Sequence, residues 1–246
     1  MSSEALSCCV LDIETAPIAE MLPAARAGRP RRGDAAARHG VRCASLITFV
    51  EYDGRVAEGS VRLLTFGGKL SESELLQLID ATLPVPDQHS LLATFNGRGW
   101  DLPQLRQRAM ANWLFELERI TAWNRADAPH RDLMLELSNS GAGRWQSLAA
   151  ACASLSVPVK DLPPSALRSK HAVLLGNQCD AAATYLLYLH LRSLELGSPL
   201  LLATGWLALA EALLVDGQAP NHLAPYIDHP RIEVARAVLA ANPAAN

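Results

Sequence analysis

Four acidic residues far apart in the chain, Asp12, Glu14, Asp101 and Asp180, are the side chains best suited to catalysis. In Val10-Leu11-Asp12-Ile13-Glu14-Thr15, an apolar run ends in two carboxylates. Side chains of an extended strand alternate between faces, so Asp12 and Glu14 share one face while Leu11 and Ile13 share the other. Like charges set side by side repel, so the pair needs either a cation or a strand end open to water. Asp101 closes Thr94-Phe95-Asn96-Gly97-Arg98-Gly99-Trp100-Asp101, which reads as a strand, a glycine-containing turn and a helix start. Standing before Leu102-Pro103, it equally suits a helix N-cap, although that reading leaves Asn96 and the two glycines unexplained. Asp180 interrupts an otherwise uncharged stretch from Leu174 to Leu189. Its helical neighbours are Gly176, Asn177, Ala183 and Thr184, so it is either exposed or paired with something distant. Hard cations such as Mg²⁺ and Mn²⁺ prefer carboxylate and water oxygens. Two of them about 4 Å apart activate a water and stabilise the leaving oxygen in phosphodiester cleavage.

Such chemistry requires separate elements to converge at one end of a sheet. Ser7 to Ile13, Ala44 to Glu51 and Val61 to Phe66 read as strands, with Tyr52-Asp53-Gly54 as a turn, and suggest an antiparallel meander. Ser71 and Glu74 form a capping box that opens a helix through Leu75, Leu76 and Ile79, and Pro84 and Pro86 stop it. Ser90 to Phe95 is a fourth strand. Helices are expected over Leu102 to Leu117, Gln146 to Leu155, Leu174 to Leu196 with Gly197 closing it, Leu200 to Val215 and Ile232 to Ala241. This order is that of an RNase H-like α/β domain, a mixed sheet flanked by helices. The expected division is 1–197 for that domain and 198–246 for a helical C-terminal extension packed on it.

The chain has 246 residues, 50% of them hydrophobic, enough for a full core. Its net charge of −3 excludes a uniformly basic nucleic-acid binder, so any such contact rests on local basic patches and bound metal. The segment 26–42 is one candidate patch: with Arg26, Arg29, Arg31, Arg32, Arg38, His39 and Arg42 it suits either a solvated loop or a flap over phosphates. The five cysteines show no Cys-x-x-Cys spacing and no paired histidines, which argues against zinc and for buried free thiols. The longest apolar runs are too short or too interrupted to span a membrane, and no basic cluster marks Met1 to Ser7 as a signal peptide. The expected setting is a reducing cytoplasm.

Together these stretches resemble the DEDD 3′–5′ exonucleases. Val10 to Thr15 is similar to their first motif. Phe95-Asn96-Gly97 leading to Trp100-Asp101-Leu102-Pro103 is similar to the second, in the form found in predicted exonucleases related to the proofreading domain of family-B DNA polymerases. His130-Arg131-Asp132-Leu133-Met134 resembles that family's intermediate segment, and Asp180 with Thr184, Tyr185 and Tyr188 its third motif. The resemblance covers Val10 to Gly197. It implies Asp12, Glu14, Asp101 and Asp180 as catalytic metal ligands for two divalent cations, Mg²⁺ or Mn²⁺. It also implies a single-stranded DNA or RNA 3′ end as substrate. Asn96 would position that end, with Thr15 beside it, and Phe95 or Trp100 would stack on a base or else pack in the core. Lys160, a substrate-binding candidate for phosphate, stands where the family has a Gly-Lys pair, with Ser156 and Val159 in place of the flanking glycines. One subgroup places a water-orienting tyrosine four residues before the last aspartate and another a histidine five before; here these positions are Gly176 and Leu175. Tyr185 and His171 are the nearest alternatives.

Overall fold

The computed structural model describes residues 4–18, 39–160, 169–214 and 217–242. Of the Arg-rich segment, only His39 to Arg42 falls within them.

Among the described residues, six strands form one mixed sheet: β1 (Leu6–Pro17), β2 (His39–Tyr52), β3 (Arg55–Val56), β4 (Arg62–Phe66), β5 (Ser90–Thr94) and β6 (His130–Asp132). The order is β3-β2-β1-β5-β6, with β4 also pairing β2. β1 runs antiparallel to β2, and β2 to β4, so the expected meander is present. β5 is parallel to β1, and β6 to β5. The helices are α1 (Glu72–Thr82), α2 (Asp101–Ala111), α3 (Glu118–Trp123), α4 (Leu133–Leu137), α5 (Leu148–Leu155), α6 (Lys170–Leu196), α7 (Leu200–Ala212), α8 (Ala224–Ile227) and α9 (Arg231–Ala240). This is an α/β, RNase H-like arrangement of a mixed sheet flanked by helices, ending in further helices.

β1 is the middle of the molecule, and its alternation divides the core in two. Cys8 and Val10 point into a cluster with Ile47, Phe49, Ala181, Tyr185 and Trp206, beneath α6 and α7. Cys9, Leu11 and Ile13 point the other way, onto Leu76, Ile79, Leu102 and Leu105 of α1 and α2. Each fully buried large aliphatic side chain contributes about 1.5–3 kcal/mol, so a strand buried on both faces is strongly fixed in register. The same alternation sends Asp12 and Glu14 toward the α6 face.

α6 is the other long element. Ser169 caps its start by accepting from the Ala172 N–H, and Gly197 ends it at φ +61°, a conformation glycine adopts without strain. The C-terminal helices join the same core. Tyr226 and Ile232 are buried in it, and the Thr204 hydroxyl of α7 accepts from the Val56 N–H at 2.9 Å.

Some expectations shift. The helix expected over Leu102 to Leu117 ends at Ala111, because Trp113 turns left-handed at φ +59° and the chain restarts as α3. α6 begins at Lys170 instead of Leu174, and β2 reaches back to His39. β6 and α4 were not anticipated, being too short to carry a hydrophobic period. All five cysteines are buried free thiols. Among the described residues no helix is long and apolar enough to cross a membrane.

Candidate functional site

Asp12 and Glu14 leave the buried part of β1 on the α6 side, and Asp180 faces them from α6. Carboxylate oxygens of the three lie within 4.8 Å of one another, and all three side chains are partly accessible. Asp101 stands apart from this triad but within its field. It is the first residue of α2, buried, with backbone hydrogen bonds of its own peptide and of Ile13 supporting it. It does not cap its helix: the N-cap is Trp100, with no side-chain cap bond.

The charges disfavour one another. Burial, then Asp101, Asp180 and Glu14, raise the Asp12 carboxyl well above the usual range, against the pull of Lys160. Burial, then Asp132 and Glu14, do the same to Asp101. Burial raises Asp180 too, and Glu14 adds to it, although Lys160 pulls the other way. Oxygen-rich, and crowded with carboxylates that disfavour one another's charge, this donor set fits a hard divalent cation.

Two further side chains complete the cluster. The Lys160 ammonium donates to Glu14 Oε1 at 3.2 Å and to Asp180 Oδ2, bridging the two acids. Burial disfavours its charge, but Asp180 and Glu14 hold it above the ordinary lysine value. Asn177, one turn before Asp180 and fully buried, donates from Nδ2 to Asp12 Oδ2 at 2.5 Å. Its Oδ1 is buried and has no hydrogen-bond partner among the described residues. Asn177 was visible in the sequence only as a helical neighbour of Asp180; the three-residue spacing that puts both on one face was the available signal.

The turn carrying Asn96 and Asp101 is built around Asp132. One carboxylate oxygen accepts from the N–H groups of Asn96 (3.0 Å), Met134 (3.2 Å) and Leu135 (3.3 Å), the other from Arg98 N–H (2.9 Å). The intermediate His-x-Asp-Leu-Met segment thus supplies the anchor of the second motif. Asn96 is left-handed at φ +69°. A Cβ at Gly97 would lie 2.1 Å from Thr94 Oγ1 and 2.5 Å from Thr94 Cβ, so that buried position requires glycine. Burial, then Arg98, push His130 down to about 3, and its Nε2 meets the Thr94 hydroxyl at 2.8 Å. Thr94 Oγ1 also accepts from Gly97 N–H at 3.0 Å.

The remaining sequence candidates lie around this centre. Thr15 Oγ1 is 3.2 Å from His39 Nδ1, and the His39 ring meets Trp100 edge-on at 6.1 Å. Phe95 is partly buried against the core beneath α6. Gly176 is buried one turn before Asp180 and offers no side chain. Tyr185 is fully buried and its hydroxyl donates to Gly205 O, so it is a core residue and not a water-orienting group. His171 is exposed, nine residues before Asp180 and so about 13 Å away along the helix. A cavity of ≈ 640 Å³ opens beside Glu14, lined also by Thr15, Arg42, Lys160, Lys170 and Leu174. A second of ≈ 630 Å³, between Val85 and Pro129, contains none of the acids.

Comparison with known proteins places this geometry in a family. Among solved structures, the family B DNA polymerase from the hyperthermophilic archaeon Pyrobaculum calidifontis is similar at a TM-score of 0.49 and 15% identity, over 96% of this chain and 29% of that one. Exonuclease I in complex with the inhibitor BCBP is similar at a TM-score of 0.37 and 10% identity, over 75% of this chain and 44% of that one. The exonuclease I–SSB-Ct complex gives 0.38 and 12% over the same shares. The chain therefore spans less than half the length of these relatives. No curated protein matches it by sequence. A family profile matches residues 44–227, three quarters of the chain, though not β1 with its acid pair. The chain belongs to the family of predicted 3′–5′ exonucleases related to the exonuclease domain of PolB.

Proposed function

We propose that this protein hydrolyses phosphodiester bonds at the 3′ end of single-stranded nucleic acid, with Asp12, Glu14, Asp101 and Asp180 holding divalent metal, Mg²⁺ or Mn²⁺. The observation that carries the reading is the meeting of Asp12, Glu14 and Asp180 within 4.8 Å, from two elements about 170 residues apart in sequence. When bound, such an ion lowers the pKa of the attacking water and offsets charge on the leaving oxygen. Asn177 keeps Asp12 oriented. Asp132 holds the Asn96 turn that would receive the terminal nucleotide, and Trp100 with Thr15 borders it. Arg42 and Lys170 offer positive charge to the phosphates along the cavity.

A second reading, a relative that binds nucleic acid with little turnover, is favoured by one observation: Gly176 leaves no phenol beside Asp180. Positioned acid–base assistance is worth about 10²–10⁴ in rate, so weak but metal-dependent hydrolysis is expected. The test is release of mononucleotides from a 3′-labelled single strand with Mn²⁺, with EDTA, and in Asp180→Ala. Turnover unchanged by EDTA or by Asp180→Ala would refute the metal mechanism. Binding without any metal-dependent release would establish the second reading.

A further inference from the structure

We infer that the exposed side of α2 carries the single strand upstream of its 3′ end, and that Trp113, with Phe115 beside it, stacks on one of the bases. The inference rests on the reading of the acids as a 3′-end nuclease centre and adds a second contact, at the far end of the helix that Asp101 begins.

Trp113 is 81% exposed and Phe115 71%, and their ring centroids lie 6.1 Å apart. The backbone presents them deliberately. Leu114 N–H donates to Ala109 O at 3.0 Å and Trp113 N–H to Met110 O at 3.1 Å, with Trp113 left-handed at φ +59°. This pair of bonds closes a helix around a residue that is most often glycine, because a Cβ disfavours the conformation. Leu114 packs on the core beneath α1 and α2, while its two aromatic neighbours stay in solvent. Folding therefore gains little from the Trp113 ring and bears the cost of its backbone, as happens at binding contacts. The support is firm: Asn112 donates to Glu72 Oε2 at 2.9 Å and accepts from the Ser73 hydroxyl at 3.3 Å, tying the end of α2 to the start of α1.

The chemistry between the two ends names the ligand. Trp100, Pro103, Arg106, Met110 and Trp113 follow one another at intervals of three and four residues, so they line one side of α2, and none is buried. Trp100 stands at the catalytic end, next to Asp101, and the exposed Arg106 lies between the two tryptophans. Aromatic faces with an interspersed guanidinium suit a single strand, whose bases stack on any π face while its phosphates take the positive charge. Glu116 and Glu118 follow Phe115 and close the path to phosphates. From Asp101 to Ala111 the helix is about 15 Å long, or about four nucleotides at the 3.4 Å spacing of a stacked strand. The platform therefore serves long strands and is out of reach of a dinucleotide.

The test compares the whole protein with Trp113→Gly, which suits the left-handed backbone, and Trp113→Tyr, which keeps a ring. The probes are an oligothymidylate decamer and a dinucleotide, each with a phosphorothioate 3′ linkage to slow cleavage, titrated with Mn²⁺ present and read by anisotropy and by tryptophan fluorescence. Trp113→Gly should bind the decamer roughly 5–150-fold more weakly, the loss of one stacked base. It should also lose part of the fluorescence quenching, bind the dinucleotide as before and melt no earlier than the wild type. Trp113→Tyr should bind both probes like the wild type. Equal decamer affinity in wild type and Trp113→Gly would overturn the inference. An earlier melt in Trp113→Gly would also overturn it, making the ring a packing residue. A wild-type dimer that Trp113→Gly splits into monomers would overturn it too, giving the patch to a second copy of the chain. The nuclease reading is judged separately on an unmodified decamer: no metal-dependent release, with Trp113-dependent binding retained, would remove the nuclease and leave the platform.

Discussion

Removing the Asp132 carboxylate should unfasten the second motif, and the cost can be worked from its contacts. Its four backbone N–H partners belong to Asn96, Arg98, Met134 and Leu135. A hydrogen bond to a charged acceptor is worth about 1.5–3 kcal/mol net, so the two at 3.0 Å or less, to Asn96 and Arg98, account for roughly 3–6 kcal/mol. Losing the α4 cap adds about 1 kcal/mol. Against this, Asp132 is itself buried and repels Asp101, and deleting it relieves that strain. Asp132→Ala should therefore destabilise by about 3–5 kcal/mol, near the top of what single substitutions do. Asp132→Asn keeps the shape but sets an amide N–H₂ against the Arg98 N–H or the three donors on the other side, and should cost about 1.5–3 kcal/mol. Urea denaturation with an unchanged slope measures both. A loss below about 1 kcal/mol in Asp132→Ala would show that water replaces the carboxylate freely and that the turn holds itself.

Other substitutions probe different parts of the argument. Burial raises the Glu72 carboxyl, but hydrogen bonds from Arg108, Asn112 and the Val41 N–H, with the Arg108 charge, leave it below its ordinary value. Its stabilisation is therefore complete above the unfolded carboxylate pKa of about 4.3 and is lost as pH falls through the lower folded value. Glu72→Gln should cost about 2–4 kcal/mol at neutral pH and flatten the acid limb of a stability–pH curve; an unchanged limb would refute the assignment. Gly176→Tyr should raise the Mn²⁺-dependent initial rate by at least about tenfold toward the 10²–10⁴ worth of acid–base assistance; a folded variant with no gain would show that the missing phenol is not what limits turnover. A Cβ at Gly205 would lie 2.2 Å from Leu189 Cδ1, so Gly205→Val should push α7 off α6 and cost about 1–3 kcal/mol, read as a lower midpoint in thermal melts.

The acids on β1 were legible because a period of two is a property of neighbouring residues, and Leu11 and Ile13 mark the buried face as clearly as Asp12 and Glu14 mark the other. The capping box at Ser71 and Glu74 and the Gly197 stop were legible for the same local reason. Lys160 was matched to a family position, but its contact with Glu14, 146 residues away, was not legible, and neither was that of Asn177 with Asp12, 165 residues away. Nothing local fixes which side chains a folded sheet brings together. The helix break at Trp113 was hidden because a tryptophan at positive φ follows no propensity. Asp132 could be matched to a family segment, but that its carboxylate anchors a turn 34 to 36 residues earlier is a tertiary fact.

The central place of β1 bears on how this protein can be dissected. The family profile begins at residue 44, after the first strand, yet that strand lies between β2 and β5 and contributes to both cores. A fragment trimmed to the matched region would lose Asp12 and Glu14 and leave β2 and β5 with unpaired edges facing an empty slot. Such edges recruit strands from other molecules. The fragment would behave as an aggregating half-sheet, and a peptide spanning Leu6–Pro17, supplied in trans, is the natural piece to complete it.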